Sequence, residues 1–170
     1  MFVENISLRP AARHHDREAF SLPVLLGFVG GTLALGGLGA FLGNTGTYQN
    51  LVKPPLSPPA WVFPVAWTIL YVLMGVAAYL AWQASASERS GALRMYAAQL
   101  FVNVLWPLFF FRLEWRLFAF FWLLLLVALV SLTMVGFRYL SRPAYRLLWP
   151  YAAWLVFAGY LNLGTYLLNL

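Results

Sequence analysis

The sequence predicts an all-α integral membrane protein, a bundle of five transmembrane helices. Two observations carry that prediction. The chain is 62% hydrophobic and only 9% charged, too few charges to give a soluble domain its polar surface. Five apolar segments, about residues 22–42, 62–82, 93–111, 117–137 and 145–168, are each long enough to cross a hydrocarbon core of roughly 30 Å. Lipid offers no hydrogen bonds to the backbone, so the segments are expected to be helical.

The elements follow in order. Residues 1–20 form a polar N-terminal tail with Arg9, Arg13, Asp16, Arg17 and Glu18. No apolar core precedes them, so the tail does not read as a cleavable signal peptide. The five-helix membrane domain occupies 21–170. Its first span is rich in glycine, and Gly27/Gly31 and Gly39/Gly43 have the small-xxx-small spacing that lets helices approach closely. Packing within the bundle is one use of such pairs and dimerisation the other. Residues 43–61 form a loop stiffened by Pro54, Pro55, Pro58 and Pro59, expected to act as a lid. Pro64 then suits the first turn of the second span. "SASERSG" reads as a polar link to the third span, "RLEWR" as the link to the fourth, and "RYLSRPAYR" as the link to the fifth. Pro107 and Pro150 lie inside the third and fifth segments, where kinks are expected.

The net charge is +6, but the basic residues are scattered at segment ends with no clustered patch, which argues against nucleic acid. They read as topology signals. Eight arginines fall in the tail and in the links after the second and fourth spans, against Lys53, Arg112 and Arg116 on the other side. The positive-inside rule predicts a cytoplasmic N-terminus for a plasma-membrane protein. The chain has no cysteine, which excludes disulfides and thiol nucleophiles, and no metal site is predicted. Away from their ends the five segments contain no Asp, Glu, Lys, Arg or His. Ion-coupled transporters keep such a group at membrane depth, so a coupled cycle is disfavoured.

The spans instead carry aromatic and amide groups at helical spacing. Trp67, Tyr71, Met74 and Ala78 share one face of the second span. Gln99, Asn103 and Trp106 share a face of the third, and Trp154, Ala158, Asn162, Thr165 and Asn169 a face of the fifth. Amides turn away from lipid, so these faces are expected to converge. One reading makes the amides interhelical hydrogen-bond partners only. The other makes the three faces the wall of a cavity for a large, flat, mostly apolar ligand, with Lys53 at its mouth to meet a carboxylate or a lipid headgroup. Trp61, Trp115 and Trp149 sit near span ends and read as interfacial belt residues.

The segments "LVKPPLSPPAWVFPVAWTILYVLMG", "QLFVNVLWPLFFF" and "LLWPYAAWLVFAGYLN", in that order with five spans, resemble the TspO/MBR family. These are the tryptophan-rich sensory proteins, whose mitochondrial relatives are the translocator or peripheral benzodiazepine receptor proteins. The resemblance covers about residues 22–170. It implies a five-helix bundle, a homodimer, and a lidded pocket binding a tetrapyrrole such as protoporphyrin IX, with no required cofactor. It implies a receptor or sensor that affects porphyrin traffic or stress response. Light-dependent porphyrin degradation, for which Trp67 and Trp154 would be the catalytic pair, is the alternative, and a passive carrier of lipid or other apolar solutes a second. The ligand residues it implies are Trp67, Asn103, Trp106, Trp154 and Ala158, beside Tyr71, Asn162 and Lys53 from the pattern above. A bacterial membrane is expected rather than the mitochondrial outer membrane. Two departures stand out. Thr47-Tyr48 replaces the Trp-Tyr of many members, and Tyr166 is followed by "LLNL", without the basic residue of the sterol-recognition pattern.

Overall fold

The computed structural model describes residues 19–44, 50–84 and 86–170. Most of the N-terminal tail and the Thr47-Tyr48 departure therefore lie outside the described residues. The helices are α1 (Leu22–Gly43), α2 (Val62–Trp82), α3 (Ala86–Pro107), α4 (Arg116–Leu140), α5 (Arg142–Leu147) and α6 (Trp149–Leu168), with a π-helical turn at Leu108–Arg112. They supply five spans long and apolar enough to cross a membrane. The spans close a ring. α1 packs on α2 and α3, α3 on α4, α4 on α6, and α5 bridges α2 and α4.

The first, second and fourth spans fall close to their expected bounds, and Pro64 sits within the first turn of α2. The other two differ in instructive ways. The third span begins at Ala86, not near residue 93, so most of the supposed polar link is helix. A contact between the two helices accompanies this: Arg89 Nη1 donates to the Trp82 carbonyl at 2.8 Å and its guanidinium lies 5.1 Å from the centre of the Trp82 ring. That contact ties the first turns of α3 back to the end of α2, leaving only a short connection between them.

The prolines do more than kink. Pro107 has no N–H to continue the α-helical ladder, and the chain answers with the wider π turn, in which Leu113 N donates to Leu108 O at 2.9 Å. Pro150 does not bend a continuous helix. It lies at the start of α6, after a break at Leu148 that separates α6 from the short α5. Ser141 caps α5, accepting from Ala144 N at 3.4 Å.

The core sits between α2, α4 and α6, where Met74, Ala77, Ala78, Phe137, Tyr151 and Leu155 are buried. Bulky apolar side chains such as Ile69, Phe101, Leu132 and Val156 face outward, as a lipid solvent permits. The polar residues Gln99, Asn103, Thr133 and Asn162 are turned inward and buried. The glycines divide by task. A Cβ on Gly75 would lie 2.6 Å from Val29 Cα, on Gly39 3.0 Å from Val104 O, and on Gly43 2.6 Å from Pro107 Cβ, whereas one on Gly27, Gly30, Gly31 or Gly37 would meet nothing within 4 Å. The Gly39/Gly43 pair thus packs α1 onto α3, and the Gly27/Gly31 pair faces outward.

This division gives a direct test. Gly75→Ala should destabilise the detergent-solubilised protein by about 1–3 kcal/mol, because the obstructing atoms are backbone and cannot rotate away. Gly30→Ala should leave the thermal midpoint unchanged or slightly raised. Thermal unfolding of the two variants side by side checks both.

Candidate ligand cavity

Trp67 is the hinge of the site's aromatic wall. In its first and second turns α2 places Phe63 and Trp67 on the inner face, and α6 presents Tyr151 and Trp154 opposite. Trp67 stacks on Tyr71 at 5.4 Å and meets Trp154 edge-on at 6.4 Å and Tyr151 at 6.2 Å. Phe63 meets Trp154 at 6.0 Å. A second wall comes from α3 and the π turn, where Trp106 stacks on Phe110 at 5.0 Å and meets Phe111 edge-on at 5.9 Å. The π turn is what swings two successive phenylalanines, Phe110 and Phe111, into the lining.

Between these walls lies a cavity of about 370 Å³, within the usual range of small-molecule sites. All five spans and the lid contribute. α1 gives Gly36 and Ala40, the lid Ser57 and Ala60, α4 Leu123 and Leu126, and α6 Trp154, Ala158, Asn162 and Thr165. None of the lining residues is charged. Trp67, Tyr71, Asn103, Trp106, Trp154, Ala158 and Asn162 are brought together here. Met74 and Ala78, on the same face as Trp67, are instead fully packed in the core. Lys53 is exposed on the lid and is not part of the lining. Trp61, Trp115 and Trp149 are exposed beside helix starts.

A buried polar node underlies the cavity. Tyr71 O–H donates to Asn103 Oδ1 at 2.7 Å, Asn103 Nδ2 donates to Tyr151 Oη at 2.9 Å, and Tyr151 O–H donates to Gln99 Oε1 at 3.0 Å. Asn103 therefore serves both as lining and as the joint between α2, α3 and α6. Gly36 makes the geometry attainable, because a Cβ there would collide with the Tyr71 ring. Sequence reasoning missed Tyr151 and Gly36. Tyr151 was within reach, since it precedes Trp154 by three residues on the same helical face. Gly36 carries no signal that separates it from the outward-facing glycines around it.

Three other lining side chains have polar atoms left open. Trp106 Nε1, Trp154 Nε1 and both amide atoms of Asn162 are buried without a hydrogen-bond partner among the described residues. Buried polar groups are nearly always paired, so open ones in a cavity wall are where a ligand's polar atoms gain most. The site thus combines ring faces with a few neutral donors and one neutral acceptor. It has no acid–base pair or nucleophile for ordinary catalysis.

The lid is fastened to the far end of α6. Asn169 accepts from Val52 N at 3.0 Å and donates to Val52 O at 2.8 Å, pairing with that residue as a neighbouring strand would. Tyr160 O–H donates to Pro55 O at 2.8 Å. Pro54 is buried against Gly164, where a Cβ would lie 2.7 Å from its ring. Leu56 adopts φ 64°, and Ser57 closes the turn by donating its hydroxyl to Pro54 O at 2.7 Å.

A five-span bundle enclosing an uncharged, indole-lined cavity under a proline-stiffened lid defines a membrane protein built around an apolar cavity. The comparisons give its family. The sequence profile of the TspO/MBR family matches residues 19–167. The chain is 37% identical over 163 residues to the tryptophan-rich protein TspO of Chlorobaculum tepidum, covering 91% of this chain and 99% of that one. It is 40% identical over 144 residues to the translocator protein of Bos taurus, covering 79% and 85%. It is also 40% identical over 131 residues to the tryptophan-rich sensory protein of Cereibacter sphaeroides, covering 77% and 82%. The chain belongs to the TspO/MBR family and is a multi-pass membrane protein.

The fastening of the lid is open to measurement. Asn169→Ala removes both bonds to Val52, each worth about 1 kcal/mol. Hydrogen–deuterium exchange over residues 51–57 should accelerate by roughly thirtyfold, with α2 and α4 unaffected. Exchange rates equal to wild type would show that Pro54 packing and the Tyr160 bond hold the lid without Asn169.

Proposed function

We propose that the protein is a membrane receptor or sensor for a tetrapyrrole such as protoporphyrin IX, held in the cavity beneath the lid. The observation that carries this reading is the wall itself: Trp67, Trp106 and Trp154 line one uncharged cavity, with two of their indole N–H groups open. Flat aromatic ligands gain affinity by stacking and burial against such rings. A macrocycle would enter with its apolar edge first and leave its carboxylates at the mouth, since the wall offers no cation to pair with them. Lys53, exposed on the lid, is a cation on that side, together with Arg112 and Arg116. The relatives' printed names, tryptophan-rich sensory protein and translocator protein, support a sensing or ligand-handling role over a conventional enzyme.

A second reading, light-driven oxidation of the bound porphyrin, is favoured by one contact. Trp67 and Trp154 touch each other at 6.4 Å in the same wall, which would place both indoles against an excited ligand with oxygen as the oxidant. We further propose a bacterial membrane and, from the arginine distribution, a cytoplasmic N-terminus if that membrane is the plasma membrane. The homodimer implied by the family likeness would use the outward Gly27/Gly31 face of α1.

Two outcomes test the site. Protoporphyrin IX added in the dark should quench tryptophan fluorescence saturably, and Ala158→Leu should weaken binding by tenfold or more while the fold is retained, because it fills the cavity beside Trp154. Absence of saturable quenching in the wild type would remove the tetrapyrrole reading. Under illumination, Trp67→Phe with Trp154→Phe should slow loss of the porphyrin spectrum with little change in dark affinity if the second reading holds, and unchanged bleaching would end it.

A further inference from the structure

The protein contains two asparagines on the cavity wall, and they are in opposite states. Asn103 has both amide atoms engaged, by Tyr71 and Tyr151. Asn162 has neither Nδ2 nor Oδ1 engaged, although the residue is 1% exposed. Among the described residues neither atom finds a partner. Donors are scarce in the lid, where prolines occupy positions 54, 55, 58 and 59 and have no N–H to donate. Ser57, the polar lid residue in the lining, donates both its hydroxyl and its N–H to Pro54 O. Ala158, one turn before Asn162 on α6, is small and leaves room beside it.

A carboxamide presents a donor and an acceptor side by side. Its complement is another edge with an N–H or O–H next to a C=O: a lactam, a primary amide, or a carboxyl group in its protonated form. A carboxylate offers acceptors only, so one of its oxygens would confront Asn162 Oδ1. It would also be buried in a cavity whose lining carries no charge, a heavy desolvation penalty. We infer that Asn162 makes the depth of the cavity selective for a planar ligand whose buried edge is neutral, a lactam-type edge or an un-ionised carboxyl, and that it is the specificity-determining residue for that edge. This rests on the reading of the cavity as a small-molecule site.

The test uses full-length protein in detergent and tryptophan quenching by two planar probes, phenanthridin-6(5H)-one and its N-methyl derivative. The secondary lactam should bind about tenfold or more tightly than the N-methyl compound in the wild type, since the latter leaves Asn162 Oδ1 buried and unpaired. In Asn162→Leu, close in volume, the two should agree within about twofold. A preference that persists in Asn162→Leu would overturn the assignment, because it would then reflect steric exclusion of the methyl group. If Asn162→Leu does not fold, a wild-type measurement decides. Phenanthrene-9-carboxylic acid should lose affinity by roughly tenfold per pH unit above its own pKa while the lactam's affinity stays flat. A flat profile for the acid would overturn the inference. Equal wild-type affinity for the two lactams also overturns it but leaves the cavity standing as a ligand site. Binding of neither lactam overturns both readings.

Discussion

The carboxamide of Asn103 is the point on which the rest of the structure depends. Hydrocarbon solvent leaves a buried amide no partner outside the protein, so the two atoms of Asn103 must be satisfied by side chains from other helices. Tyr71 of α2 and Tyr151 of α6 do so, and Tyr151 passes the connection back to Gln99 on α3. Each such bond is individually modest, about 0.6 kcal/mol and at most about 1.7 kcal/mol in measured membrane cases. Their joint effect is positional. With Tyr71 pinned, the indole stacked on it, Trp67, is pinned too. With Tyr151 pinned, the α6 face that carries Trp154 and Ala158 is turned inward. Gly36 is the permissive element, since any side chain on α1 at that position would displace the Tyr71 ring.

Proline shapes what the node leaves open. Pro107 ends α3 at cavity level and forces the π turn that delivers Phe110 and Phe111. Pro150 starts α6 afresh after the break at Leu148, so the aromatic face of α6 is set independently of α5. Pro54 seats the lid in the notch at Gly164. At Pro107 and Pro150 a missing N–H or a locked φ ends or starts an element, and the cavity wall lies beside the junction. π turns recur at functional sites for the same reason: they re-aim side chains without breaking the span.

Much of this was legible in the sequence because membrane spans are written in composition and length. The five spans, the start of α2 near Val62 and the inward faces of α3 and α6 all follow from hydropathy and a 3.6-residue period. What escaped had a different origin. The start of α3 at Ala86 goes with Arg89 folding back onto Trp82, a tertiary contact within what reads as a polar link. The break at Leu148 and the π turn after Pro107 are two different answers to the same residue type, and proline alone does not say which will be taken. The lid's attachment to Asn169 joins residues 117 apart in sequence, beyond any local pattern. Asn162 and Asn103 look alike as inward amides, yet only the assembled bundle shows that one is spent on the fold and the other is not.

Why the bundle keeps a cavity at all follows from how its helices meet. Lipid tails solvate apolar side chains as well as the interior does, so no hydrophobic force collapses a gap between spans, and association relies on packing. On one side that packing is tight: Gly75 brings α2 against the Val29 backbone, and Gly39 and Gly43 bring α1 against Val104 and Pro107. On the other side bulk intervenes. Phe63 and Trp67 of α2 stand against Trp154 of α6, rings too large to let those two helices close. Small residues on α1 and indoles between α2 and α6 make the ring of spans lopsided, and the cavity is the volume that asymmetry leaves. Indole is well suited to that wall, because a ring that props two helices apart also offers its face to an occupant. The same side chains therefore keep the cavity open and line it with ring faces.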